Sequence, residues 1–120
     1  MKKVYFLGTC STCRTILEET GIAELAAKGK FQLQDIKNEK ISPEQLDEMK
    51  GMAGSYESLF SKRAIKYKEW GLKEKMLTEK DFRNYVLQEY TFLKRPVIIV
   101  ENAIFIGSDK KTVAAVKSTL

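Results

Sequence analysis

The chain has 120 residues, 43% of them hydrophobic and 31% charged, with no Pro-, Gly- or Ser-rich tract, so one globular domain over residues 1–120 is expected and neither a linker nor a disordered region is. Twenty-one basic residues against 16 acidic ones leave a net charge of +5, which suits an anionic substrate or partner but also an ordinary solvated surface. There is no histidine, which removes imidazole bases, Ser/His and Cys/His pairs and histidine metal sites together.

Residues 3–7, KVYFL, are rich in β-branched and aromatic side chains and predict a strand ending at Gly8. A helix follows from about Ser11 to Thr20, capped by Thr9 or Ser11, with Cys13, Ile16 and Leu17 on its apolar side and Gly21 as its stop. IAELAAKG continues in helical pattern, and FQLQDI at 31–36 alternates apolar and polar, predicting a second strand. From about 42 to 91 the pattern is helical alone. Ser42-Pro43-Glu44-Gln45 supplies a cap, a proline at the first helical position and a capping-box partner, with Leu46 and Met49 inward and Gly51 and Gly54 ending the helix. SYESLFSKRAIKYKEWGL reads as one or two short helices closing at Gly71, with Trp70 as packing rather than chemistry. Thr78 caps a further helix from Glu79 to about Glu89, with Phe82, Tyr85, Val86 and Leu87 on its apolar side. The runs 97–100 and 103–106, separated by Glu101-Asn102, predict a β-hairpin, and a last helix from about Asp109 puts Val113, Val116 and Leu120 inside.

No apolar run approaches the ~18 residues that cross a membrane; no membrane association and a cytoplasmic location are expected. MKKVYFLGTC imitates a lipoprotein leader, but its apolar part is too short for one. The fold class is α/β: a β-α-β unit and a β-β-α unit around a helical insertion at about residues 42–91. That order resembles a thioredoxin or glutaredoxin fold with a mixed sheet.

Both cysteines stand in GTCSTCRT, where a strand turns into a helix. A cysteine at a helix N-terminus faces unpaired N–H groups and the positive end of the dipole, which favour its thiolate. Cys10 is therefore the expected nucleophile, and Cys13, one turn later, the thiol that resolves a mixed disulfide. Ser11, Thr12 and Arg14 offer hydrogen bonds and charge to an incoming oxyanion. A metal site would need about two further thiolate or imidazole ligands that this chain lacks, so none is expected; plain packing of two buried thiols is the competing reading. Pro96, in LKRPVIIV, opens a strand. In thioredoxin-like folds the corresponding proline has a cis peptide and faces the reactive cysteine, so a cis Arg95–Pro96 bond is expected.

Three segments in this order, GTCSTCR, LFSKRAIKYKEWGL and FLKRPVIIV with FIGSDKK, resemble the arsenate reductase (ArsC)/Spx family over nearly the whole chain. The resemblance implies a thioredoxin-like fold, a reactive Cys10 and a substrate-binding Arg95 beside Pro96. Arsenate reductases of this family hold arsenate with three arginines and then form a mixed disulfide with glutathione. Only Arg95 carries over: Glu57 stands at the position in the helical block, no arginine lies near Ile106–Gly107, and Phe6 stands where a histidine is expected. Lys62, Arg63 and Lys110 are the cations that could compensate. The resemblance thus implies an oxidoreductase, expected as a monomer with no bound cofactor, acting on a small oxyanion or a thiol/disulfide substrate with glutathione, glutaredoxin or thioredoxin as electron donor. The Spx branch implies an alternative, a redox-sensing regulator that binds RNA polymerase through Gly54. Direct nucleic-acid binding is not expected, because the lysines are interspersed with acidic residues and no DNA-reading motif is present.

Overall fold

A computed structural model describes all 120 residues. Its contacts divide them into two units, one made of Met1–Lys40 and Arg95–Leu120 and the other of Ile41–Lys94.

The first unit is built on a four-stranded mixed sheet. Strands β1 (Lys2–Phe6), β2 (Gln32–Asp35), β3 (Val97–Val100) and β4 (Ala103–Ile106) lie in the order β2-β1-β3-β4. β1 and β2 are parallel, as their helical crossover through α1 (Ser11–Glu19) and α2 (Ile22–Ala27) requires, whereas β1–β3 and β3–β4 are antiparallel. The hairpin turns through Glu101 and Asn102, with Val100 paired to Ala103 and Glu101 in the left-handed region at φ 53°. Val4 lies opposite Ile98 on one sheet face. There they join Val100 with Ile16 and Leu17 of α1, Ile22 of α2, Phe31, and Val113 and Val116 of α6 (Lys110–Thr119) in one core. Leu120, expected inside, is 42% exposed, because α6 ends at Thr119 and the last residue lies beyond its final turn.

The second unit holds α3 (Pro43–Ala53), α4 (Ile65–Glu69) and α5 (Glu79–Gln88), with 3-10 turns at Glu57–Leu59, Leu72–Glu74 and Tyr90–Phe92. Ser42 accepts the Gln45 N–H and the Gln45 side chain takes the Ser42 N–H, the capping box expected at α3. Thr78 and Asp81 repeat it at α5. Gly51 does not stop α3; the helix runs through it to Gly54, whose φ of 96° ends it. On α5 only Phe82 and Val86 are buried, and Tyr85 and Leu87 stay partly exposed.

Phe60 is the centre of this unit, its ring 4.9 Å from those of Phe82 and Phe92 and 5.9 Å from Tyr67. Trp70 packs edge-on against Phe92 at 5.4 Å with one side in solvent, which is a rim-packing role. The unit is not purely helical: Phe60 and Leu93 form an antiparallel bridge, and the Lys94 N–H donates to the Leu59 carbonyl at 2.8 Å. The insertion thereby extends to Ile41–Lys94, starting at the expected place and running a few residues past the end expected from the helical pattern.

Candidate active site

β1 delivers the chain to Gly8, and α1 begins at Ser11. The turn between them is closed by the Cys10 N–H, which donates to the Leu7 carbonyl at 3.0 Å. Cys10 itself is the residue preceding the helix, with extended φ −89° and ψ 111°. The expected cap by Thr9 or Ser11 is therefore absent. No side-chain oxygen closes this helix end, and the N–H groups of Thr12 and Cys13 are instead directed at the Cys10 sulfur.

No disulfide joins the two cysteines, of which Cys10 is half-buried and Cys13 fully buried among the residues of α1 that face inward. Burial is the largest influence on Cys10 and disfavours its charge. The Cys13 N–H and thiol, the Thr12 N–H and the positive charge of Arg95 outweigh it, and the Cys10 thiol lies below its ordinary value. Cys13 goes the other way. Burial pushes it up to about 11, and the hydrogen bond to Cys10 and the charge there hold it up, with only partial relief from the Leu7 backbone and Arg95.

Arg95 and Pro96 reach this place from the other half of the unit, as the residues that lead into β3. The bond between them is cis, Pro96 is buried, and its carbonyl accepts the Gly107 N–H at 3.0 Å. Of the residues singled out in the sequence, Cys10, Thr12, Cys13 and Arg95 converge electrostatically. Ser11 and Arg14 point outward from the first turns of α1 and are exposed, and Arg14 forms no ion pair. Among the compensating cations, Lys62 is tied to Glu57 at 3.0 Å, while Arg63 and Lys110 are exposed. No three carboxylate or thiolate side chains gather as metal ligands would, and no helix is long and apolar enough to cross a membrane.

One neighbour of the site was not anticipated from the sequence. Asp35, at the end of β2, pairs with Phe6 in the sheet register and sets its carboxylate against Gly8. A polar residue closing an alternating strand was the only signal for it.

Residues 5–116 match the model of the ArsC family. No curated protein matches the chain. Among solved structures, a protein from Yersinia pestis superposes with a TM-score of 0.75 at 19% identity, over 96% of this chain and 99% of that one. An arsenate reductase from Vibrio cholerae gives 0.73 at 18%, over 99% and 98%. An ArsC-related protein from Brucella melitensis gives 0.67 at 18%, over 95% and 92%. At these identities the likeness is one of fold, and it extends over the mixed sheet and the helical insertion alike.

Proposed function

Because the chain belongs to the ArsC family, we propose that it is a thiol oxidoreductase in which Cys10 attacks a disulfide, such as a glutathione mixed disulfide, or a small oxyanion, and Cys13 resolves the product. The observation that carries this reading is the division of acidity between two sulfurs in hydrogen-bond contact, the Cys10 thiol made more acidic than usual and the Cys13 thiol less so.

With a disulfide substrate, the Cys10 thiolate attacks one sulfur, the old S–S bond breaks and the departing thiolate carries away its electron pair. A mixed disulfide now occupies Cys10. Burial still opposes a charge on Cys13, but the negative charge and hydrogen bond at Cys10 that also held its proton are gone, whereas Arg95 remains. Cys13 then loses its proton to the medium or the departing thiolate and attacks the Cys10 sulfur. The second substrate thiolate leaves, a Cys10–Cys13 disulfide forms, and two electrons have passed to the substrate. Glutathione, glutaredoxin or thioredoxin returns them.

For an oxyanion, Arg95 is the cation beside Cys10 that would hold the negative charge. The regulatory alternative draws on Gly54, whose exposure and left-handed conformation are already accounted for by its place at the end of α3.

Steady-state turnover with thioredoxin or glutaredoxin, supplied in parallel with a glutathione mixed disulfide and with arsenate, tests the reading. Turnover that disappears in Cys10→Ser supports it; no turnover with either substrate, together with retention of RNA polymerase on the oxidised protein alone, would favour the regulator.

A further inference from the structure

We propose that Asp35 is a positioning residue for Cys10, its carboxylate forming the wall against which the turn from Gly8 to Cys10 is set. The inference rests on the reading of Cys10 as the nucleophile and adds a residue that acts on it without touching substrate.

Gly8 approaches Asp35 so closely that a Cβ on Gly8 would lie 2.5 Å from Asp35 Oδ2 and 3.4 Å from its Cγ. Carbon and oxygen do not pack at the shorter of these distances, so any side chain at position 8 has to displace the Asp35 carboxylate. Conformation does not impose the choice, because Gly8 is not among the glycines with positive φ. An exposed carboxylate would swing aside, but this one is held at both oxygens. The Lys37 N–H donates to Oδ1 at 3.1 Å and Asn38 Nδ2 donates to Oδ2 at 3.2 Å. The backbone beneath is held as well, with the Asp35 carbonyl accepting from the N–H groups of Asn38 at 3.1 Å and Glu39 at 2.8 Å. Moving the carboxylate means giving up hydrogen bonds that close the turn after β2.

On the other side, Gly8 belongs to the turn closed by the Cys10 N–H on the Leu7 carbonyl. A displacement at Gly8 is transmitted through two residues to Cys10. Its sulfur depends on the directions of the Thr12 and Cys13 N–H groups, and hydrogen bonds of this kind weaken steeply with misalignment. The charged groups facing Cys10 are otherwise Cys13 and Arg95, on α1 and at the entry to β3, and neither contact is altered by a change at position 8 except through the turn.

The test is the pH dependence of Cys10 alkylation by iodoacetamide, read from the mass of the Cys10 adduct in the wild type, Gly8→Ala, Asp35→Ala, the double variant and Asp35→Asn. Gly8→Ala should move the profile up by about one pH unit, a roughly tenfold loss of rate at neutral pH. The double variant, with no carboxylate to meet the new methyl group, should return to the profile of Asp35→Ala. Asp35→Asn keeps the shape of the wall, and Asn38 can turn its amide to suit, so its profile should match the wild type. If Gly8→Ala does not fold, the rescue is read in folding itself, and the double variant should fold.

A Gly8→Ala profile equal to the wild type, or a double variant as displaced as Gly8→Ala, overturns the proposal. So does an Asp35→Asn profile shifted downward, which would mark a charge effect. Failure of the underlying reading looks different: the wild type itself would then alkylate as an ordinary thiol, and the positioning role would fall with it.

Discussion

The Cys13 thiol donates a hydrogen bond to the Cys10 sulfur, and that contact widens the difference in acidity between two identical side chains three residues apart. Burial opposes charge on both and is the largest influence on each; at Cys13 the contact adds to it, and at Cys10 the contact works against it. Replacing Cys13 by Ala removes the donor but keeps the helix. The alkylation profile of Cys10 should rise by about half a pH unit, while the loss of one buried sulfur costs about 1 kcal/mol of stability. An unchanged profile would mean that the backbone N–H groups alone sustain the thiolate.

Arg95 bears on the same sulfur through its charge. Arg95→Ala should raise the Cys10 profile and weaken binding of an oxyanion substrate, seen as an increase in KM of about tenfold or more, from the loss of one charge-assisted contact. Arg95→Lys should recover most of the profile, which follows charge, but less of the KM, which follows the planar fork of the guanidinium. Equal recovery of both would leave Arg95 with a charge role only.

In the second unit, Asp47 joins α3 to α5. Arg83 Nε and Nη2 donate to its two oxygens at 2.8 and 3.2 Å, and the Tyr56 hydroxyl donates at 2.6 Å. The hydrogen bond from Arg83, followed by that from Tyr56, holds the Asp47 carboxyl at about 2, below its ordinary 3.8. A depressed folded value means that the contribution to stability is complete above about pH 4 and is lost as pH falls towards 2. Urea midpoints followed against pH should therefore place Asp47→Asn below the wild type near neutrality, with the gap closing across that acid window. A constant gap would show that Asp47 acts through shape alone.

Phe60 is fully buried between three aromatic rings contributed by separate segments of Ile41–Lys94. Its truncation to Ala should cost about 3–5 kcal/mol, measured by chemical denaturation. A cost near that of an exposed position would mean that the ring cluster does not hold this unit together.

What the sequence made legible was local. The alternation of FQLQDI, the Ser42-Pro43 start of α3 and the two residues between VIIV and AIFI each depend on neighbours within about four positions, and each produced the expected element. The place of the CxxC at a strand-to-helix turn was legible for the same reason. The contact between Gly8 and Asp35 was not, because it depends on the register of β1 against β2, set by packing 27 residues away along the chain. Nor was the identity of the residue preceding α1. Thr9 and Ser11 carry hydroxyls suited to capping, yet the close of the turn on Leu7 places Cys10 there, which is the position that favours its thiolate. The bridge between Phe60 and Leu93 was hidden likewise, since neither residue lies in a run long enough to read as a strand.

The central claim is that Cys10 and Cys13 form one redox pair, and intact-mass measurement after exposure to oxidised glutathione tests it most directly. The account predicts a loss of two hydrogens in the wild type, a single glutathione adduct on Cys10 that persists in Cys13→Ser, and neither product in Cys10→Ser. A folded wild-type protein that keeps both thiols free and gains no adduct would contradict it.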